Sequence, residues 1–288
     1  MRCMRSSNPG RHEPRRDFFY PLYPMPELSE RLALSTCWCS SRHTDGYAMV
    51  VEMLELGFRR IELSHGIRIS LVAGILKAVE EGIVEISSVH NFCPLPNMVQ
   101  HAAPNLYEPS SADPRELDLW QRYTLQTIDF ASKVGAPRIV VHSGSLHYFF
   151  RSPEARLEKW IDKSGLEPGD LTGNKDFIKR RDRAMKRIRR DAPPWLERTG
   201  ESYRQLFEAV RERGLILGVE NREGLEEIPL DDEMWHFLES LGGDAPVGYW
   251  HDCGHAQLKE QLGLLDHAAH LAQPRAETDR FPPARCVG

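Results

Sequence analysis

GYWHDCGHAQ (248–257) decides how the chain is read. Val247, Tyr249 and Trp250 form an apolar approach that runs into His251, Asp252, Gly254 and His255. Short apolar runs of this kind are buried parallel strands. Polar groups at the end of such a run serve chemistry rather than packing.

Five further runs share this form: RLALSTCWC (31–39), FRRIELS (58–64), IVEISSVH (83–90), RIVVHSG (138–144) and LILGVEN (215–221). Helical patterns separate them. Asp45 is positioned to cap a helix that stops at Gly57. Asp113-Pro114 places a cap residue before proline at the first helical position. Leu117, Trp120, Thr124, Ile128 and Ala131 then follow a helical period that ends at Gly135. Thr199 is expected to cap a helix running through Leu206 and Val210 to Gly214. Alternating strands and helices predict an α/β fold with a parallel sheet.

Nearly every strand ends in reactive groups: Cys37 and Cys39, Glu62, His90 and Asn91, His142, Glu220 and Asn221, then His251 and Asp252. A (β/α)8 TIM barrel gathers its strand ends at one mouth, where active sites lie. A doubly wound sheet does so only near its switch point, and no GxGxxG follows the first strand. The expected fold is therefore of TIM-barrel type. It is expected to be incomplete, with about six βα units, because no seventh or eighth strand can be read after Asp266.

The domain reading is a disordered leader (1–28), a barrel-like domain (29–272) with a basic helical insertion at 145–198, and an irregular tail (273–288). The leader is basic and proline-rich without the apolar core of a secretory signal, and Met25 opens a cleaner start. The tail, rich in Pro, Arg and Ala without period, resembles a shifted reading frame. Within the insertion, DFIKRRDRAMKRIRRD (176–191) carries eight basic residues against three acidic ones. It reads as a lid for anionic substrate, a nucleic-acid patch or a solvated helix.

The 288 residues, 41% hydrophobic with net charge -5, suit a globular protein and disfavour nucleic acid as the main partner. No run approaches the roughly 20 apolar residues of a membrane helix. Six cysteines without CxxC imply a reduced, cytoplasmic chain. An open barrel would expose strand edges, a dimerisation liability that leaves a homo-oligomer open.

Glu220 and Asp252 on adjacent strand ends, with imidazoles nearby, make a divalent cation site. Carboxylates suit Mg or Mn, and added histidines shift preference toward Zn, Co or Fe. Gly254 is expected to turn the chain so that Asp252 and His255 both face the mouth. The alternative for Asp252 is a helix cap.

IELSHG, SVHNFCPLP, VVHSG, LGVENREGLEEIP and GYWHDCGHAQLKE together resemble the xylose isomerase-like TIM barrels. These include sugar isomerases and epimerases and, more distantly, endonuclease IV-type enzymes. The resemblance covers roughly residues 30–266. It implies a metal held by Glu from strand five and Asp from strand six, here Glu220 and Asp252. The expected His and Glu of strands seven and eight have no counterpart. His255 resembles the histidine that touches substrate or a second metal. His90 and His142 match strand-end histidines that bind substrate in the epimerases and metal in the endonucleases. Glu220 is also the implied catalytic acid–base group. Arg222 is set either to grip a substrate carboxylate or phosphate, or to pair with Glu226 or Glu227. Glu62 is set either to orient His90 or bind sugar hydroxyls, or to pair with Arg60.

The implied function is a sugar or sugar-phosphate isomerase or epimerase using Mn, Mg, Co or Zn, with a carbohydrate-like small molecule as partner. An endonuclease IV-like phosphodiesterase on DNA and a non-catalytic truncated barrel are the alternatives.

Overall fold

The apolar runs form six parallel strands: β1 (Leu34–Ser35), β2 (Arg60–Leu63), β3 (Glu85–His90), β4 (Arg138–Val141), β5 (Ile216–Glu220) and β6 (Val247–Trp250). The computed structural model describes residues 32–272. The expected leader and tail, with Cys3 and Cys286, lie outside the described residues. The strands are hydrogen-bonded in sequence order, and every neighbouring pair is parallel. Among the described residues, β1 and β6 bound this sheet. No described helix is long and apolar enough to cross a membrane.

Local chemistry sets the crossover helices. Asp45 accepts a hydrogen bond from the Tyr47 amide and starts α1 (Gly46–Glu55). Next comes α2 (Ile69–Glu80). Asp113 accepts from the Arg115 amide, and Pro114 begins α3 (Pro114–Lys133), which packs Trp120, Ile128 and Ala131 inward. Gly135 follows this helix at φ 70°, in the left-handed region that glycine enters without steric cost. The main core lies between the sheet and these helices, around Ile61, Leu63, Val89, Ile139, Leu217 and Val219.

Two expectations are corrected. The first strand is only two residues long, because the Ser35 hydroxyl accepts from the Cys37 amide and diverts the chain into 3-10 turns at Thr36–Trp38 and Ser40–Arg42. Thr199 caps nothing. It lies inside a helix that starts at Pro193, and its buried hydroxyl donates to the Ser143 carbonyl oxygen at 3.0 Å. Cys37, Cys39 and Cys93 are free.

The segment after β4 builds α4 (Pro153–Ser164), a 3-10 turn (Pro168–Gly173), α5 (Lys175–Asp191) and α6 (Pro193–Arg204). It has a second core: Leu146, Leu157, Phe177, Met185 and Ile188 pack with Leu225, Ile228 and Leu230 from the loop after β5. α7 (Phe207–Glu212), α8 (Met234–Ser240), α9 (Cys253–Gln261) and α10 (His267–Leu271) complete the described helices.

α1 and α2 touch through glycines. A Cβ on Gly46 would sit 1.9 Å from the Leu71 carbonyl oxygen, and one on Gly74 would sit 2.2 Å from the Tyr47 amide nitrogen. Neither backbone neighbour can rotate away. Gly46→Ala is therefore expected to destabilise the protein by about 1–3 kcal/mol, despite alanine's better helix propensity. Gly169→Ala, which meets nothing within 4 Å, should leave the urea midpoint nearly unchanged. Equal midpoints for the two variants would refute the close approach.

Candidate active site

The strand ends open into a cleft of about 530 Å³, whose lining includes Glu62, His90, His142, Glu220, Asp252 and His255. All the residues singled out at strand ends for metal or substrate, Arg222 included, line this one space.

Glu220 ends β5 and is 4% exposed. Its Oε2 lies 2.8 Å from His142 Nε2, 3.5 Å from His90 Nε2 and 3.1 Å from an Arg222 guanidinium nitrogen. The far sides of the rings are fixed as well. His90 Nδ1 lies 2.9 Å from the Asn91 carbonyl oxygen, and His142 Nδ1 bonds the Asn105 side-chain oxygen. An oxygen acceptor at Nδ1 requires the proton there, so in the neutral ring Nε2 is a bare lone pair. Two bare nitrogens and a carboxylate oxygen then face one another. That convergence is favourable only with a proton or a cation between them.

The protein alone supplies a proton. Burial lowers the His90 pKa, but its bond to Glu220 and the charges of Glu220 and Glu62 outweigh burial and raise it. Burial, helped by the neighbouring His90 and opposed by the bond to Glu220, pushes His142 down to about 3. Burial would raise Glu220, yet its contacts with the His142 and His90 rings hold it well below the ordinary carboxylate range. The two imidazoles stand 4.8 Å apart, so a second proton would be repelled. Of the two rings, His90 is the one whose surroundings favour the protonated form, and those of Glu220 favour the ionised form.

Asp252 is brought to the same place by a helix start. Its Oδ1 caps α9 by accepting from the His255 amide at 2.8 Å. The expected turn at Gly254 is absent, because Gly254 lies within α9. The cap geometry itself sets Asp252 beside His255. Asn221 holds both: its Oδ1 accepts from the Asp252 amide at 2.6 Å, its Nδ2 donates to the Asp252 carbonyl oxygen at 3.0 Å, and its own carbonyl oxygen lies 2.9 Å from His255 Nδ1. His255 thus has the same tautomer as the other two histidines. Glu220, Asp252 and His255 each offer a ligand atom within 4.8 Å of the others, as do His90, His142 and Glu220. A mixed carboxylate–imidazole donor set with every histidine's second nitrogen engaged fits a divalent transition metal.

Arg222 donates to Glu227 Oε1 at 2.9 Å as well as to Glu220. Glu62 accepts hydroxyl hydrogen bonds from Ser35 and Ser88, each at 2.9 Å, while Arg60 pairs with Glu85 at 3.0 Å. His65 and Asn105 belong to the site as well. His65 lines the cleft and packs edge-on against His90 at 4.6 Å. The glycine that follows it could have flagged a strand-end loop. Nothing in the sequence marks Asn105, 37 residues from its partner His142.

No protein-family model matches the chain, and no curated protein matches it. Solved structures do. A protein described as a candidate xylose isomerase from Rhodospirillum rubrum matches with TM-score 0.56 at 14% identity, over 83% of this chain and 72% of that one. An L-ribulose 3-epimerase matches with TM-score 0.52 at 13% identity, over 80% and 62%. A D-allulose 3-epimerase from Methylomonas sp. matches with TM-score 0.52 at 12% identity, over 79% and 64%. The chain thus spans less than two thirds of the length of these two epimerases. The likeness establishes the fold: the six strands are arranged as in a xylose isomerase-like TIM barrel.

Burial, the largest cause in each case, pushes His65 and His251 down to about 4, and His142 lower still. In the unfolded chain all three titrate near 6.5. Between pH 6.5 and about 4 the unfolded state therefore binds protons that the native state refuses, and the metal-free protein loses stability as pH falls. His90, raised, has the opposite sign: its contribution is present below 6.5 and is lost as pH rises through its folded value. Urea midpoints measured from pH 7 to 4 should fall steadily. A flat profile would contradict the neutral, buried state of these rings.

Proposed function

We propose that the chain is a divalent-metal-dependent isomerase or epimerase acting on a sugar or sugar phosphate. The observation that carries the reading is the convergence of three histidines and two carboxylates around Glu220, inside a cleft large enough for a small molecule. The similarity in fold to structures described as sugar epimerases supports the substrate class.

Glu220, Asp252 and His255 would hold the metal, with His90 and His142 on the other side of Glu220. When bound, the ion polarises a substrate carbonyl and its neighbouring hydroxyl. Glu220, ionised and buried, is the base that accepts the proton from the carbon next to the carbonyl. His90, protonated beside it, keeps that charge balanced and can return a proton from the same side. Glu62 and His142 are placed for sugar hydroxyls, and Arg222 positions Glu220. Removal and return of the proton on one face suits aldose–ketose interconversion. Inversion at carbon needs a second group on the opposite face, and the described residues include no strand seven or eight to carry one.

The buried His90–His142–Glu220 group also fits a phosphodiesterase of the endonuclease IV type. That reading requires duplex DNA binding that weakens steeply with salt.

Metal content after incubation with Mn, Co or Zn and exhaustive dialysis tests the first reading. Asp252→Asn keeps the helix cap, since asparagine caps as well as aspartate, but removes a charged ligand. It is expected to lose bound metal. Asn221→Ala keeps every ligand but frees Asp252, and should weaken metal affinity roughly 10- to 100-fold. Metal content in Asp252→Asn equal to that of the unaltered protein would overturn the site.

A further inference from the structure

The basic helix α5 divides into two sets of residues. Arg181 donates to the carbonyl oxygens of Leu262 and Gly263, Arg189 pairs with Asp232 at 2.6 Å, and Arg190 pairs with Asp191 at 2.8 Å. The first two tie the helix to other segments, and the third is a surface pair with its chain neighbour. Arg180, Arg183 and Arg187 follow at i, i+3 and i+7 and share one face. Across from them, on α4, stands Arg156. The four arginines line one concavity of about 150 Å³ whose lining includes Leu157 and Ala184 but no acidic side chain.

Among the described residues, no salt bridge engages Arg156, Arg180 or Arg183, and Arg187 reaches Asp191 only at 3.7 Å. Two of the four are fixed from behind. The Arg180 guanidinium lies 5.1 Å from the Trp160 ring centre, and that of Arg187 lies 4.6 Å from the Tyr148 ring centre. Arg187 also donates to the Arg151 carbonyl oxygen at 2.9 Å. Ring stacking orients a guanidinium without neutralising it. Four like charges around one hollow repel one another and raise the local potential. The partner that relieves this is an anion with several oxygens, matched to the planar guanidinium fork.

We propose that the hollow between α4 and α5 is a binding site for a small polyphosphate anion, either inorganic or carried on a small metabolite. It is lined by different arginines from the strand-end cleft and does not depend on the chemistry proposed there. At about 30 Å³ per water, its volume suits one or two phosphate groups rather than a long strand.

The test is titration of the full chain with sodium pyrophosphate, followed by calorimetry at low and moderate salt. Saturable binding with one site per chain is expected. Arg156→Gln and Arg183→Gln, both exposed and without ion-pair partners, should each weaken it about tenfold, the size of one lost charge-assisted hydrogen bond. Arg190→Gln removes the same charge from the same helix outside the hollow and should leave binding unchanged. Unaltered melting temperatures will show that the variants are folded. A nucleoside diphosphate that binds more tightly than pyrophosphate would support the site and assign the phosphates to a nucleotide. Three results would each overturn it: no saturable binding, equal weakening by Arg190→Gln, or tighter and more salt-dependent binding of a 20-base-pair duplex, which would make the face a nucleic-acid surface.

Discussion

Asn221 is the joint on which the site depends. It is fully buried, directly follows Glu220, and bonds both the amide and the carbonyl of Asp252 while its own carbonyl meets His255. One amide side chain thereby ties the end of β5 to the start of α9. Glu220 and Asp252 are 32 residues apart in the chain, yet their carboxylates share one pocket because this joint leaves neither backbone free to move. The three histidines around it are tuned in one way: each has an oxygen at Nδ1, so each presents Nε2 for other work. Charged groups so close together are tolerated under burial because opposite charges and hydrogen-bond partners surround them, although His65 Nδ1 and Asn91 Oδ1 beside them are buried without a partner.

The loops beside the site are pinned by carboxylates rather than by regular structure. Glu154, at the start of α4, accepts from the amides of Leu225 and Glu226. Glu226 answers by accepting from the Ser152 hydroxyl and the Glu154 amide. This reciprocal pair joins the insertion to the loop that carries Arg222. Glu108 does similar work after β4, where it accepts from the Ser145 amide and hydroxyl and meets His147 at 2.9 Å. The neighbouring loops are thus tied by buried and half-buried acids whose oxygens are already committed, and Glu62, Glu220 and Asp252 are the acids that line the cleft itself.

Much of this was legible in sequence. Apolar runs of four to six residues that end in polar groups are unambiguous when helices separate them, so all six strands and the helix starts at Asp45 and Asp113 could be read directly. The candidate residues could be read too, because buried strands rarely end in His or Glu without cause. Three kinds of fact could not. Ser35 ends β1 through its own hydroxyl, a local choice that β propensity does not register. Thr199 has the residue type of a cap but serves a tertiary contact, and only the fold shows which. Asn105 reaches His142 from a loop with no periodicity at all. Propensity and period report on neighbours along the chain, whereas the outer layer of a site is built from residues that meet only after folding.

The second core also bears on how the chain comes to be folded. Its two parts, residues 146–192 and 225–230, are separated by α6, α7 and β5. During synthesis the first part, with Phe177, Met185 and Ile188 on one face, leaves the ribosome before Leu225, Ile228 and Leu230 exist to cover it. At about 5–20 residues per second the delay is roughly 2 to 8 s, far longer than a helix needs to form. For that interval an amphipathic helix carrying a dense positive charge, partly covered by Leu157 and Trp160 of α4, waits with the rest of its apolar stripe open. Its own charge is then the protection it has against associating with a neighbouring nascent chain. The arginines on α5 therefore serve the protein before it has a native structure as well as after.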